Sequence, residues 1–194
     1  GWYRRQRQMC IRDRIKTGGK FLTNVVGSEK VFCKELFSEE EKMIYEAMKD
    51  FATNELLPLS QNELNKKDEK LIRKLVEQMG ELGFLGIDVP EKYGGSEMTK
   101  TGMCILAEGI SFCGSPSFCT VWNVQTSIGS LGIIWYGNDE QKKKWLPGIC
   151  SGEKIAAFGL TEPEAGSDAT NSKTTGVLSD DGKHYIVNLS LIHI

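Results

Sequence analysis

The residues best suited to chemistry stand together in the run L-T-E-P-E-A-G-S-D-A, residues 160–169. Gly166 has no Cβ, so a ligand can approach the backbone closely there, and Thr161 and Ser167 offer neutral hydroxyl donors. A strand that ends in such a loop suits a phosphate or the polar edge of a heterocycle. The same composition also suits a surface turn capped by Asp168. Glu162, Glu164 and Asp168 add carboxylates, but no histidine stands near enough in sequence to complete a metal site. That pattern favours a solvated or salt-bridged loop over a metal centre.

Other templates fit less well. Residues 159–167 lack the lysine of a phosphate-binding P-loop, and no G-x-G-x-x-G follows a strand pattern. Ser167 is not set in G-x-S-x-G, the turn that exposes a hydrolase nucleophile. None of the six cysteines forms a C-x-x-C pair, and only His184 and His193 could join them in a metal site. Cys104, Cys113 and Cys119 lie in apolar helical stretches, where cysteine behaves as a small hydrophobe. No metal is expected, and the cysteine usage suits a reducing compartment. His184, on a strand near a turn, reads as a surface side chain.

The elements that must position the loop are mostly helical. Ser38 opens a capping box with Glu41, and Ile44, Ala47, Met48 and Phe51 follow at helical spacing until Pro58. A second helix is expected over 68–82, with Leu71, Leu75, Met79 and Leu82 on one face, stopped by Gly83, Gly86 and Pro90. Residues 89–95, V-P-E-K-Y-G-G, read as a loop. A third helix is expected over 100–112. After Gly114-Ser115-Pro116 a fourth runs over 117–136; it is apolar on most sides and reads as buried through Val121, Val124, Ile128, Leu131 and Ile134. Asn138 caps a short helix with Asp139 and Glu140 in its first turn, ended by Pro147.

Near residue 153 the pattern changes. Residues 154–161 read as a strand, and 173–178 with 183–188 as a hairpin around Asp181-Gly182. The expected fold class is therefore mainly α: a helical-bundle domain followed by the start of an antiparallel β-barrel domain. A sheet of two or three strands is marginal alone.

Composition is that of a globular protein, with 40% hydrophobic and 26% charged residues among 194. The formal net charge of −2 implies no polyanion-binding surface. Its distribution is uneven, because Arg4, Arg5, Arg7, Arg12 and Arg14 crowd the first fourteen residues beside a single acid, Asp13. With Trp2 and Tyr3 they could suggest nucleic-acid binding. Residues 1–14 and 189–194, with M-C-I-R-D-R and L-S-L-I-H-I, instead resemble translated sequencing-adaptor sequence and are set outside fold reasoning. No apolar run approaches the ~20 residues needed to span a bilayer, and no secretory signal pattern opens the chain.

Beyond the 160–169 run, L-G-F-L-G-I (82–87), V-P-E-K-Y-G-G, G-N-D-E-Q-K-K-K-W-L-P (137–147) and S-G-E-K (151–154) occur in an order and spacing that resemble the acyl-CoA dehydrogenases. The likeness covers about residues 15–188, and I-K-T-G-G-K-F-L (15–22) is similar to the bacterial very-long-chain-like branch. The resemblance implies an N-terminal helical domain over 15–153 and the start of the middle β-domain over 154–188. It implies an FAD-dependent enzyme of fatty acid β-oxidation that dehydrogenates fatty acyl-CoA thioesters between the α and β carbons. Phe158, Leu160 and Thr161 would lie along the flavin ring. Gly166 and Ser167 would lie near the FAD chain, with Ser167 also reaching the acyl-CoA. Residues 121–128 would lie where the acyl tunnel ends, or serve as plain core.

The family's catalytic glutamate sits in a C-terminal bundle, so no residue of this chain receives that role. The expectation is a fragment, inactive alone and prone to aggregate. The resemblance further implies electron-transfer flavoprotein as acceptor, a homo-oligomer (dimer or tetramer), no nucleic acid, and a place in the bacterial cytoplasm or, in a eukaryote, the mitochondrial matrix. Two alternatives stand beside it: a fragment of an acyl-CoA oxidase, which shares the fold and passes electrons to oxygen, and a non-catalytic helical interaction module.

Overall fold

The computed structural model describes residue 34 and residues 37–59, 64–66 and 68–188. The expectations for 1–14, for most of the 15–36 lead-in and for 189–194 lie outside these. Six α-helices, α1 (Glu39–Phe51), α2 (Glu69–Glu81), α3 (Lys100–Ile110), α4 (Pro116–Thr126), α5 (Ile128–Tyr136) and α6 (Asp139–Cys150), precede an antiparallel hairpin of β1 (Thr175–Leu178) and β2 (Tyr185–Asn188). The fold is thus mainly helical with one short two-stranded sheet among the described residues. No helix among them is long and apolar enough to cross a membrane.

Local chemistry sets most boundaries. Ser38 Oγ accepts from the Glu41 N–H at 3.1 Å, and Glu41 Oε2 accepts from the Ser38 N–H at 2.9 Å, the reciprocal box that starts α1. Asn138 and Gln141 repeat it at α6. At the end of α2, Gly83 takes φ +77°, so the Phe84 N–H reaches back to the Met79 carbonyl and the Gly83 N–H to Gly80. Leu75, Val76 and Met79 of α2 are buried as the spacing implies, whereas Leu82 is half exposed.

The main core gathers Met48 and Phe51 of α1, Leu75 and Met79 of α2, Leu106 of α3, and Phe118 and Trp122 of α4. The Phe51 and Phe84 rings meet at 6.3 Å, and the buried Trp122 indole N–H donates to the Phe84 carbonyl at 3.0 Å. Residues 89–95 are a loop with a 3-10 turn at Glu91–Tyr93, yet Val89 and Tyr93 are buried in a second cluster with Leu146, Ile149 and Cys150 of α6. The Tyr93 hydroxyl donates to Asp139 Oδ1 at 2.7 Å and holds that carboxyl below its ordinary pKa.

Three expectations are corrected. The fourth helix is not continuous: α4 ends at Thr126, and Ser127 breaks the path with φ −123° and ψ −104°. Its inward face is also different. Phe118, Trp122, Gln125, Thr126 and Ser130 are buried, while Val121, Val124, Leu131 and Ile134 are only partly so and Ile128 is half exposed. A helix apolar on most sides gives periodicity no face to choose, and the buried polar groups are tolerated because each bonds backbone. Thr126 Oγ1, for example, donates to the Trp122 carbonyl at 3.0 Å.

Pro147 does not end α6, which continues to Cys150. The proline removes one donor, but Pro147 and Lys143 are both exposed, so the carbonyl left without an intrahelical partner is on the wet side. Finally, residues 154–161 form no strand among the described residues. Side chains hold them instead of a ladder.

The hairpin is shorter than its sequence pattern. The Lys173 and Thr174 N–H groups turn to the Glu162 carboxylate, and the Lys183 and His184 N–H groups to Asp181 Oδ1 and Ser179 Oγ. Both faces are open: Val177 and Ile186 are each 58% exposed, as is Val187.

Candidate functional site

The five site residues named from sequence fall on one stretch of backbone, and all are exposed. Phe158 is 54% exposed and Leu160 45%, high values for such side chains and available to a flat apolar partner. Thr161 follows with its hydroxyl in the open. The chain then closes a tight turn in which the Glu162 and Ala165 N–H groups donate to each other's carbonyls at 3.0 and 3.2 Å. A Cβ placed on Gly166 would meet nothing within 4 Å, so the backbone there faces open space, with Ser167 beside it.

The upstream half of this stretch is fixed from the helices. Gln125, buried on α4, donates from Nε2 to the Ile149 and Lys154 carbonyls at 2.9 and 2.8 Å and accepts at Oε1 from the Ala156 N–H at 2.7 Å. The Lys154 N–H donates to the Gly148 carbonyl at 2.8 Å. Gly129, at the start of α5, approaches so closely that a Cβ would lie 2.9 Å from the Ala156 Cβ and 2.8 Å from the Val124 carbonyl oxygen. Sequence reasoning passed over Gln125. No signal in the sequence singled it out, because the same helix carries a second amide, Asn123, and the hydroxyls of Ser117, Thr120 and Thr126.

The downstream half is fixed by a carboxylate. Glu162 accepts from the Lys173 N–H at 2.7 Å, from the Thr174 N–H at 3.0 Å and from the Thr174 hydroxyl. The Thr174 hydroxyl, then the Lys173 N–H, hold the Glu162 carboxyl below its ordinary pKa. Glu164 pairs with the Lys173 ammonium, which lowers the pKa of the acid and raises that of the base. Asp168 Oδ1 accepts from the Thr170 hydroxyl at 2.6 Å. These carboxylates are therefore engaged in shaping the loop. No group of three metal-ligating side chains occurs among the described residues.

Beside the stretch, Ile155 joins Ile72, Arg73, Ser117 and Val121 around a cleft of about 370 Å³. Val121 belongs to the segment that the family resemblance puts either at an acyl tunnel's end or in plain core. The cysteines are separate from all of this. Cys113 Sγ lies 3.4 Å from Cys119 Sγ, and burial, with that contact, pushes the Cys119 thiol up to about 12. Cys104, expected as a small hydrophobe, is exposed.

The arrangement fits a planar cofactor with a phosphate chain: exposed aromatic and aliphatic surface at 158–160, hydroxyls at 161 and 167, and uncrowded backbone at 166. Comparison with known proteins addresses the family. The family model for the acyl-CoA dehydrogenase N-terminal domain matches residues 38–153. A probable acyl-CoA dehydrogenase of Bacillus subtilis (strain 168) is 43% identical over 173 residues, covering 89% of this chain and 29% of that protein. A crystal structure of an acyl-CoA dehydrogenase complexed with FAD from Bacillus anthracis superimposes with a TM-score of 0.78 at 44% identity, over 89% of this chain and 29% of that one. A chain from the structure of the electron transferring flavoprotein of Acidaminococcus fermentans gives a TM-score of 0.67 at 35% identity, over 78% and 39%. The chain thus spans under a third of the length of these two Bacillus proteins. Its helical layer, its ordered motifs and the family match place this chain in the acyl-CoA dehydrogenase family.

Proposed function

We infer that the chain supplies the helical domain and the flavin-facing stretch of an FAD-dependent dehydrogenase acting on fatty acyl-CoA thioesters in β-oxidation. The observation that carries this is the exposed stretch 158–167, whose apolar and hydroxyl side chains are free while its carboxylates are occupied. Phe158 and Leu160 offer hydrophobic surface to the flavin ring, and Thr161 offers it a hydroxyl. The backbone at Gly166 and the Ser167 hydroxyl would lie near the FAD chain, with Ser167 also reaching the acyl-CoA.

When bound, FAD supplies the two-electron acceptor that takes the β-hydrogen as hydride. The chain's own share is binding, orientation and exclusion of water. No residue of this chain is assigned the α-proton base: Glu162 and Glu164 already hold Lys173 and Thr174. The apolar walls of the 370 Å³ cleft at Ile72, Val121 and Ile155 suit the far end of an acyl chain. Electron-transfer flavoprotein as acceptor, a dimer or tetramer, and the bacterial cytoplasm or mitochondrial matrix belong to the same proposal. The family likeness supports it, as does the match to a chain from an electron transferring flavoprotein structure.

The test is a titration of the chain with FAD, read by quenching of flavin fluorescence, and then, in a longer protein that joins this chain to the base-bearing bundle, bleaching of the flavin absorbance with acyl-CoAs of graded chain length. Saturable quenching and chain-length-dependent bleaching are expected. A protein that takes up no FAD contradicts the proposal.

A further inference from the structure

Residues 154–161 have the composition of a strand yet no ladder among the described residues, so something else must hold them in place. A single buried side chain does much of it. Gln125 is 1% exposed, and its amide spends both functions on backbone of other elements: the donor on the Ile149 and Lys154 carbonyls, the acceptor on the Ala156 N–H. One neutral group thus joins α4, the end of α6 and the start of the stretch, two residues before Phe158. Glutamine is suited to this, because one planar group presents donor and acceptor in fixed relation at a site too dry for a charge. The close approach of Gly129 to Ala156 adds a second contact between the helices and the stretch.

We propose that Gln125 is a positioning residue for the cofactor: its amide clamp sets the location of Phe158, Leu160 and Thr161, and with it the affinity and electronic environment of the flavin. The inference rests on the flavin assignment made above. Gln125 touches neither cofactor nor substrate in this account; it acts through Lys154 and Ala156. A buried polar group kept only for stability would affect folding without altering a bound chromophore.

The experiment compares Gln125→Met, Gln125→Glu and Trp122→Phe in the full-length protein. Gln125→Met keeps the side chain's length and loses every bond. Gln125→Glu, kept protonated by so dry a site, retains the acceptor for Ala156 and one donor for the two carbonyls. Trp122→Phe removes a buried N–H···O bond of the same helix that goes to Phe84 instead. Loss of the clamp is expected to weaken FAD binding about tenfold or more and to shift or blur the visible flavin bands. Gln125→Glu should fall between Gln125→Met and the unaltered protein, and it serves alone if Gln125→Met does not fold. Trp122→Phe should lower Tm while leaving flavin affinity and spectrum unchanged.

Unchanged binding and spectrum in the Gln125 variants overturn the proposal, as does an equal change in Trp122→Phe. If the unaltered protein binds no FAD, the flavin assignment fails on its own account. The clamp is then judged by amide exchange at Ala156, expected to speed up about tenfold with Gln125→Met and not with Trp122→Phe; no change there overturns it.

Discussion

Gly166→Ala separates folding from cofactor binding more cleanly than any other single change in this chain. Gly166 is not among the positive-φ glycines, and a Cβ built on it meets nothing within 4 Å. Alanine therefore fits the backbone as it stands. At such a site the substitution removes conformations from the unfolded chain and stabilises by about 0.4–1 kcal/mol. The same methyl group projects into the space a pyrophosphate would use to approach the backbone. Losing one charge-assisted hydrogen bond there costs about 1.5–3 kcal/mol, which is about tenfold to a hundredfold in Kd.

Two assays decide it. Urea unfolding without FAD should show an unchanged or slightly raised midpoint with the same slope, and fluorescence titration should show the weakened affinity. An FAD affinity equal to that of the unaltered protein refutes the placement of the cofactor beside Gly166. A fall in the urea midpoint refutes the description of the backbone there.

Other outcomes follow from the same structure. Ser38→Ala breaks the capping box of α1 and should cost about 1 kcal/mol, read as a lower urea midpoint; Ser38→Asp should recover most of it. Phe118→Ala empties a site that is 1% exposed and should cost about 3–5 kcal/mol, detectable as a large drop in Tm. Glu162 has a folded pKa below its unfolded value, so its contribution is complete above the unfolded carboxylate range and is lost as pH falls through the folded value. The Lys173 and Thr174 amides should then lose protection, relative to their intrinsic exchange rates, as the pH falls through that folded value, and Glu162→Gln should flatten that dependence. Replacing Val177 and Ile186 by lysine, on hairpin faces each 58% exposed, should reduce aggregation of the 194-residue chain in light scattering while leaving helical content unchanged.

Where local chemistry decides the outcome, sequence was a sound guide. Ser38 with Glu41, Asn138 as a cap, Gly83 after α2 and the Asp181-Gly182 hairpin all carry their instructions within a few residues. The failures share the opposite property. Pro147 should end a helix by its own chemistry, and only its exposed position explains why α6 continues. The break at Ser127 and the true inner face of α4 are hidden because valine and isoleucine occur on every side. Residues 154–161 have strand composition, but a strand exists only through its partner, and the groups that hold this one are a glutamine some thirty positions earlier and backbone of α6. The site residues themselves were legible as a motif. A salt-bridged loop was expected of Glu162 and Glu164, but their partners, Lys173 and Thr174, lie about ten positions on and could not be read from the motif.

The amide clamp also bears on when the flavin-facing stretch takes shape during synthesis. Gln125 is separated from Lys154 by 29 residues and from Ala156 by 31, so the contacts can close soon after that stretch clears the ribosome. Short loops close at small entropic cost, and domains fold as units from the N-terminal side as they are made. The surface proposed for the cofactor can therefore be laid down on the helical layer before any later strand arrives to pair with it. On this view the helices serve as the mould on which the neighbouring sheet is cast.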